Sequence, residues 1–182
     1  MRPALVITGS PSATSRTARL GGIVLERLTA QGFPTTLLDL RTLPGEDLLA
    51  ARTTASALSD AIELVAGASG LIVATPIYKA AYSGLLKSFL DVLPQFGLRE
   101  KVVLPLATGG SLAHVLAIDY ALRPVLSSMD PRHVVQGLFI LDTHVIVKED
   151  GSAALEPDVS NKLDAALRTF AAALEPAGAA VG

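Results

Sequence analysis

"VITGSPSATSRTARL", residues 6–20, passes from a short apolar run through Gly9, Ser10 and Pro11 into a stretch with helical spacing. The run begins at Ala4, and its continuous apolar character is that of a strand covered on both faces. Between strand and helix stand Ser10, Ser12, Ser15 and Thr17, all hydroxyl donors, with Arg16 among them. The first turn of a helix leaves backbone N–H groups without acceptors, and the helix dipole makes that end positive. Add a guanidinium able to grip an oxyanion through two parallel hydrogen bonds, and the loop reads as a phosphate site. Ordinary capping would need only one Ser or Thr. A nucleoside-triphosphate loop is excluded because no Gly-Lys-Ser/Thr follows Gly9, and the glycine spacing of a dinucleotide fingerprint is missing too. A monophosphate fits better.

Working outward, the pattern predicts a helix over 14–30 closed by Gly32, then a strand at 35–40. A helix over 55–68 follows, with Leu58, Ile62 and Val65 on one side, and then a buried strand at 70–76. Next come a helix at 83–93, a strand at 101–110, one long helix over 111–129 and a strand at 133–142. The last helix is expected over 158–174 with Asp158 or Ser160 as its cap. Residues 149–157 carry no motif. The division expected is a single domain over 1–175 and a frayed tail over 176–182. Five alternations of strand and helix imply an α/β fold, a parallel sheet with helices on both faces. In a chain of this size the flavodoxin-like strand order 2-1-3-4-5 is favoured, giving a three-layer fold. Pro105 lies inside the fourth strand and lacks the N–H a ladder needs, so a bulge or a missing hydrogen bond is expected there.

In such a sheet ligands bind beyond the carboxyl ends of the strands. Two further loops share that edge with the first. "TPIYKAAYSG" holds Pro76, Ile77, Tyr78 and Lys79, and two of the chain's three tyrosines. A flat heteroaromatic ring could lie against Ile77 and Tyr78; the plainer alternative is a pair of tyrosines covering the sheet edge. "ATGGSLAH" places Thr108, Gly109, Gly110 and Ser111 before a helix, where backbone can come close to a ligand. That segment also loosely fits the strand–turn–helix elbow of a serine hydrolase, with Ser111 as nucleophile and Asp130 or Asp142 with His133 or His144 as partners. His114 is in reach of a ligand there or simply bonds a carbonyl.

Of the 182 residues 50% are hydrophobic and 18% charged, so a sizeable core can form. The formal net charge of −2 offers no field for nucleic acid. With no cysteine, dithiol, iron–sulfur and thiolate-metal chemistry drop out, and three scattered histidines lack ligand spacing. Redox chemistry would need an organic cofactor. The opening apolar run is too short for a signal peptide and no segment suits a membrane helix, so a soluble, cytoplasmic protein is expected.

"GSPSATSRT", "GLIVATPIYKAAYSGLLK" and "KVVLPLATGGSLAHVLAIDYALRPVL", with the spacing between them, resemble the NADPH-dependent FMN reductases, and among these the type that supplies reduced flavin to alkanesulfonate monooxygenases in sulfur assimilation. The likeness runs over 5–174. It implies FMN and NADPH as the small molecules bound, with the phosphate at Ser10, Ser15, Arg16 and Thr17. The isoalloxazine ring would meet Pro76, Ile77, Tyr78 and Lys79, and Thr108, Gly109, Gly110 and Ser111 would close the far side. Independently, Pro124 deprives the carbonyl of Tyr120 of its helical partner, so a kink or π-type bulge is expected. The resemblance implies that Tyr120 lies in a π-helix at a tetramer interface near the flavin; the alternative is a mild kink with a buried tyrosine. It further implies a homo-oligomer, dimer or tetramer, and a partner monooxygenase using reduced FMN. A quinone- or azo-type reductase with tightly bound FMN and a flavodoxin-like electron carrier remain the alternatives.

Overall fold

The first strand, β1 (Ala4–Thr8), is buried along its whole length and pairs in parallel with two partners, β2 (Thr35–Asp39) and β3 (Gly70–Tyr78). The computed structural model describes residues 1–174, so the expected frayed tail lies outside the described residues. On its other side β3 pairs in parallel with β5 (Val102–Gly109). A two-residue strand, β4 (Ala81–Tyr82), folds back antiparallel on the end of β3. Two short strands, β6 (His133–Val134) and β7 (Leu138–Leu141), then run parallel to β5 at the far edge. With these counted as one broken fifth strand, the order is the flavodoxin-like 2-1-3-4-5 expected from the sequence.

The break has a physical cause in Pro105. Val103 accepts a hydrogen bond from the Val135 N–H at 2.9 Å, and backbone groups of alternate residues point the same way, so Pro105 also faces the edge strand. There it has no N–H to give. The register slips by one residue across it: Val103 stands opposite Val134, whereas Leu106 stands opposite Leu138. Three edge residues, 135–137, thus oppose two of β5, which is the bulge anticipated. A Cβ on Gly137 would lie 2.9 Å from the Pro105 carbonyl oxygen and 2.8 Å from Ile118, so only glycine lets the edge chain approach this closely.

Alternation along the strands divides the core in two. Ala4, Val6, Ile72, Ala74, Leu104 and Leu106 face α1 (Arg16–Ala30) and α6 (Pro157–Leu174). Leu5, Ile7, Leu71, Val73 and Val103 face α3 (Ser56–Gly67), α4 (Gly84–Val92) and α5 (Arg123–Ser128). Arg27 of α1 reaches Asp164 at 2.8 Å and the Ser160 hydroxyl at 2.8 Å, tying the two helices of the first layer together. Among the described residues no helix is long and apolar enough to cross a membrane.

Several expectations need correction. The single helix over 111–129 is instead a 3₁₀ turn at Leu112–His114, a π-helix at Ile118–Leu122 and then α5. Neither Asp158 nor Ser160 caps α6, because Pro157 takes the first helical position, where a missing N–H costs nothing. The helix at 14–30 starts two residues later, with Ser15 as its cap accepting from the Ala18 N–H at 3.0 Å. Two features went unforeseen: the short α2 (Gly45–Leu49), and an antiparallel hairpin of β8 (Val145–Val147) and β9 (Ala153–Leu155) beside the main sheet.

Candidate active site

At the carboxyl ends of β1, β3 and β5 the three loops enclose one cavity of about 560 Å³, within the range of small-molecule sites. Its wall includes Ser12, Ser15, Arg16 and Thr17 from the first loop, Pro76, Ile77 and Tyr78 from the second, and Thr108, Gly109 and Gly110 from the third. Asp142, from the turn after β7, completes it.

The first loop is held open from below. Gly9 packs where any Cβ would come within 2.8 Å of the Leu86 Cβ, so glycine is required there for the approach of α4. The Ser83 hydroxyl donates to the Gly9 carbonyl and accepts from the Leu86 N–H at 3.1 Å, capping α4 and clamping the loop in one group. The N–H groups of Arg16 and Thr17 then find no acceptor among the described residues, as the start of a helix dictates. Arg16 is exposed and engages no carboxylate among those residues. Ser15 accepts from Ala18 through its oxygen and keeps its own proton to donate. A phosphate placed here would meet two backbone donors, a hydroxyl and a guanidinium.

Thr17 and Thr108, both fully buried, share a hydrogen bond of 2.7 Å that joins the first loop to the third. One of the two donates, so a single hydroxyl proton of the pair stays free. The third loop brings Gly109 against Phe139, where a Cβ would come within 2.9 Å of the ring. Tyr78 opens a two-residue turn in which Lys79 and Ala80 have φ of +50° and +65° before the chain returns through β4. A turn with both central residues left-handed normally selects Asn-Gly; here Lys and Ala hold it against a steric cost of about 1–3 kcal/mol each. The turn follows Ile77 and Tyr78, which stand in the cavity wall.

Three of the residues expected at the site lie outside the cavity wall. Ser10 is 2% exposed and accepts from the Ser12 N–H at 3.3 Å, so it shapes the loop from inside. Lys79 sits at the exposed tip of the hairpin. Ser111 caps the following 3₁₀ turn by accepting from Ala113 at 3.2 Å. The hydrolase alternative gains no support from the geometry: among the described residues no hydrogen bond joins the Ser111 hydroxyl to a histidine, and His133 lies opposite Val102 at the amino end of β5. Asp142 was missed as a wall residue because the turn that carries it reaches the cavity only through the fold. His114, half-buried, does not line the cavity.

The exposed helical segment beside the site is also ordered by its chemistry. The Arg123 N–H bonds the Ile118 carbonyl five residues back, and Arg123 ties the segment to the edge strand through the carbonyls of Val134 (2.9 Å) and Val135 (3.3 Å). Tyr120 is 80% exposed, with Leu112, Val115 and Leu116 exposed on the same stretch. The π-helix packs against β4 and β5, so it touches two elements that also carry the cavity.

A doubly wound sheet with the donors of a helix start and an arginine in a cavity at its carboxyl edge is the arrangement of the mononucleotide-binding α/β proteins. Residues 3–145 match the family model described as NADPH-dependent FMN reductase. The chain is 45% identical to "FMN reductase (NADPH)" of Pseudomonas putida KT2440 over 92% of its own length and 86% of the relative's. It is likewise 45% identical to "FMN reductase (NADPH)" of Escherichia coli K12, over 93% and 88%. Among solved structures, the apo form of NADH:FMN oxidoreductase (EMOB) superposes with a TM-score of 0.86 at 43% identity, covering 98% of this chain and 92% of that one. The chain therefore belongs to the NADPH-dependent FMN reductase family. Membership makes it an oxidoreductase, with FMN and NADPH as the molecules its family uses.

Proposed function

We propose that the protein takes hydride from NADPH onto FMN seated in the 560 Å³ cavity and releases reduced FMN to a partner monooxygenase. The observation that carries this reading is the open start of α1, with Arg16 engaging no carboxylate among the described residues, in the same cavity as Pro76, Ile77 and Tyr78. The residues fit the nucleotide: a phosphate at Ser15, Arg16 and Thr17 leaves a slot between the second and third loops for the ring. FMN supplies the electron-accepting ring, and the nicotinamide must enter the same opening to reach it. Hydride transfer between stacked rings needs little proton traffic, so the chain's part is placement. Thr17, Thr108 and Ser83 hold the loops in register, and Gly110 leaves the cavity mouth clear of side chain.

The partner is of the alkanesulfonate-oxidising type, in cytoplasmic sulfur assimilation. NADPH is preferred, in keeping with two relatives named for it, although the structural relative is named for NADH. The exposed strip of Leu112, Leu116 and Tyr120 supports assembly into a homo-oligomer, dimer or tetramer, with Tyr120 of the π-helix at the contact near the flavin. The test is anaerobic oxidation of NADPH and of NADH with and without free FMN. Stoichiometric flavin reduction that depends on added FMN is expected, faster with NADPH. A protein that keeps its FMN through gel filtration and passes electrons only to a quinone or azo dye would overturn release.

A further inference from the structure

Among the described residues Asp142 is the single carboxylate in the cavity wall, at a site whose other charged wall residue is Arg16. Its Oδ2 lies 3.9 Å from where a Cβ on Gly110 would stand, which puts the carboxylate beside the third loop, one of the two loops between which the proposed function places the ring. The ion pairs of the described residues leave Asp142 out, whereas Asp39, Asp47, Asp91, Asp119, Asp130 and Asp164 all take part in one. An unpaired carboxylate in a ligand cavity ordinarily weakens anion binding, so its presence in a nucleotide site calls for a reason.

The reaction supplies one. Hydride transfer moves two electrons and one proton from NADPH to the flavin, forming FMNH⁻ and NADP⁺ with no further reactant. The oxidised ring is neutral and the reduced ring carries a negative charge, while the phosphate is the same in both. Arg16 at the phosphate therefore favours both forms alike. Asp142 at the ring side acts on the difference. Across several ångströms of partly desolvated cavity, one unit charge changes the relative affinity of the two forms by about tenfold or more.

We propose that Asp142 biases the cavity against reduced FMN, so that hydride transfer itself weakens the hold on the flavin and drives product release. This rests on the flavin reading of the cavity. The carboxylate makes oxidised FMN the better ligand and the reduced anion the poorer one, which is the order a reductase that hands its product on requires.

The experiment is a pair of anaerobic titrations at mildly alkaline pH on the full chain, with FMN and with dithionite-reduced FMN. Wild-type protein is expected to bind the oxidised form more tightly. Asp142→Asn should shift the ratio of the two dissociation constants by about tenfold toward the reduced form, which raises the bound two-electron potential by about 30 mV. Asp142→Ser should show the same shift, and Asp142→Glu, which keeps the charge, should keep the wild-type ratio. Equal weakening of both forms in Asp142→Asn would make the carboxylate a simple hydrogen-bond acceptor for the ring and overturn the proposal, as would an unchanged ratio. Wild-type protein that binds neither form overturns the flavin reading and the proposal together.

Discussion

Arg16 and Lys101 show how position in the fold decides what a cation does. Arg16 stands at the start of a helix with no carboxylate partner among the described residues, its charge added to that of the orphan N–H groups. Arg16→Ala is expected to weaken FMN binding by about 1.5–3 kcal/mol, the worth of a hydrogen bond to a charged group; a fluorescence titration measures it, and unchanged affinity removes Arg16 from the phosphate site. Lys101 does the opposite job. Only 8% exposed, its ammonium donates to the carbonyls of Ala66 (2.9 Å) and Ala68 (2.7 Å), closing the negative end of α3 where no capping side chain is present. Burial lowers its pKa below the ordinary 10.5. Between the lowered value and 10.5 the unfolded chain binds more protons than the folded one, so this lysine makes stability rise with pH across that window. Urea midpoints of wild type and Lys101→Met, compared through that window, should show a steeper rise in the wild type; parallel curves would deny the shift.

Elements rather than residues explain the two places where simple periodicity misleads. The stretch 111–129 has helical spacing, yet Pro124 interrupts the hydrogen bonds behind it and the chain takes up a π-turn and a 3₁₀ turn. Pro124 made a bulge legible in advance; the loss of regular helix before residue 118 was not, because it depends on Ile118 and Ala117 packing beneath the segment with Ile77 and Ala107. In the same way Pro105 foretold a fault in the ladder but not that the edge strand would divide into β6 and β7. Gly137 is where that fault is absorbed. Gly137→Ala would press a methyl group into the Pro105 carbonyl and Ile118, and is expected to lower stability by about 1–3 kcal/mol, read as a fall in the denaturation midpoint. Because Ile118 begins the π-helix, the variant should also disturb that element, visible as altered hydrogen exchange there.

For the whole molecule the exposed apolar strip is the feature that packing among the described residues leaves uncovered. Tyr120 at 80% exposure, with Leu112 and Leu116 beside it, is a costly surface for an isolated chain and a reasonable one for a contact between copies. Tyr120→Ala is expected to lower the assembly state in sedimentation velocity, or to change the rate at which flavin leaves; unchanged sedimentation together with unchanged turnover refutes the role. The π-helix contacts β4, the return strand of the hairpin that carries Tyr78, which is the route an effect on flavin release would take.

The strand order, the two-faced core and the three loops at one edge were all readable from the chain, because alternation of apolar runs with amphipathic stretches leaves few ways to cover a parallel sheet. So was most of the cavity wall, since glycines, hydroxyls and a lone arginine cluster after successive strands. Only the folded molecule could bring Asp142 to that wall, turn Ser10 inward, join Thr17 to Thr108, and set the 149–157 segment into a hairpin edge. Local pattern records which backbone a segment prefers, whereas a side chain's neighbours across the sheet depend on register and loop path, which arise from packing between residues far apart in the chain.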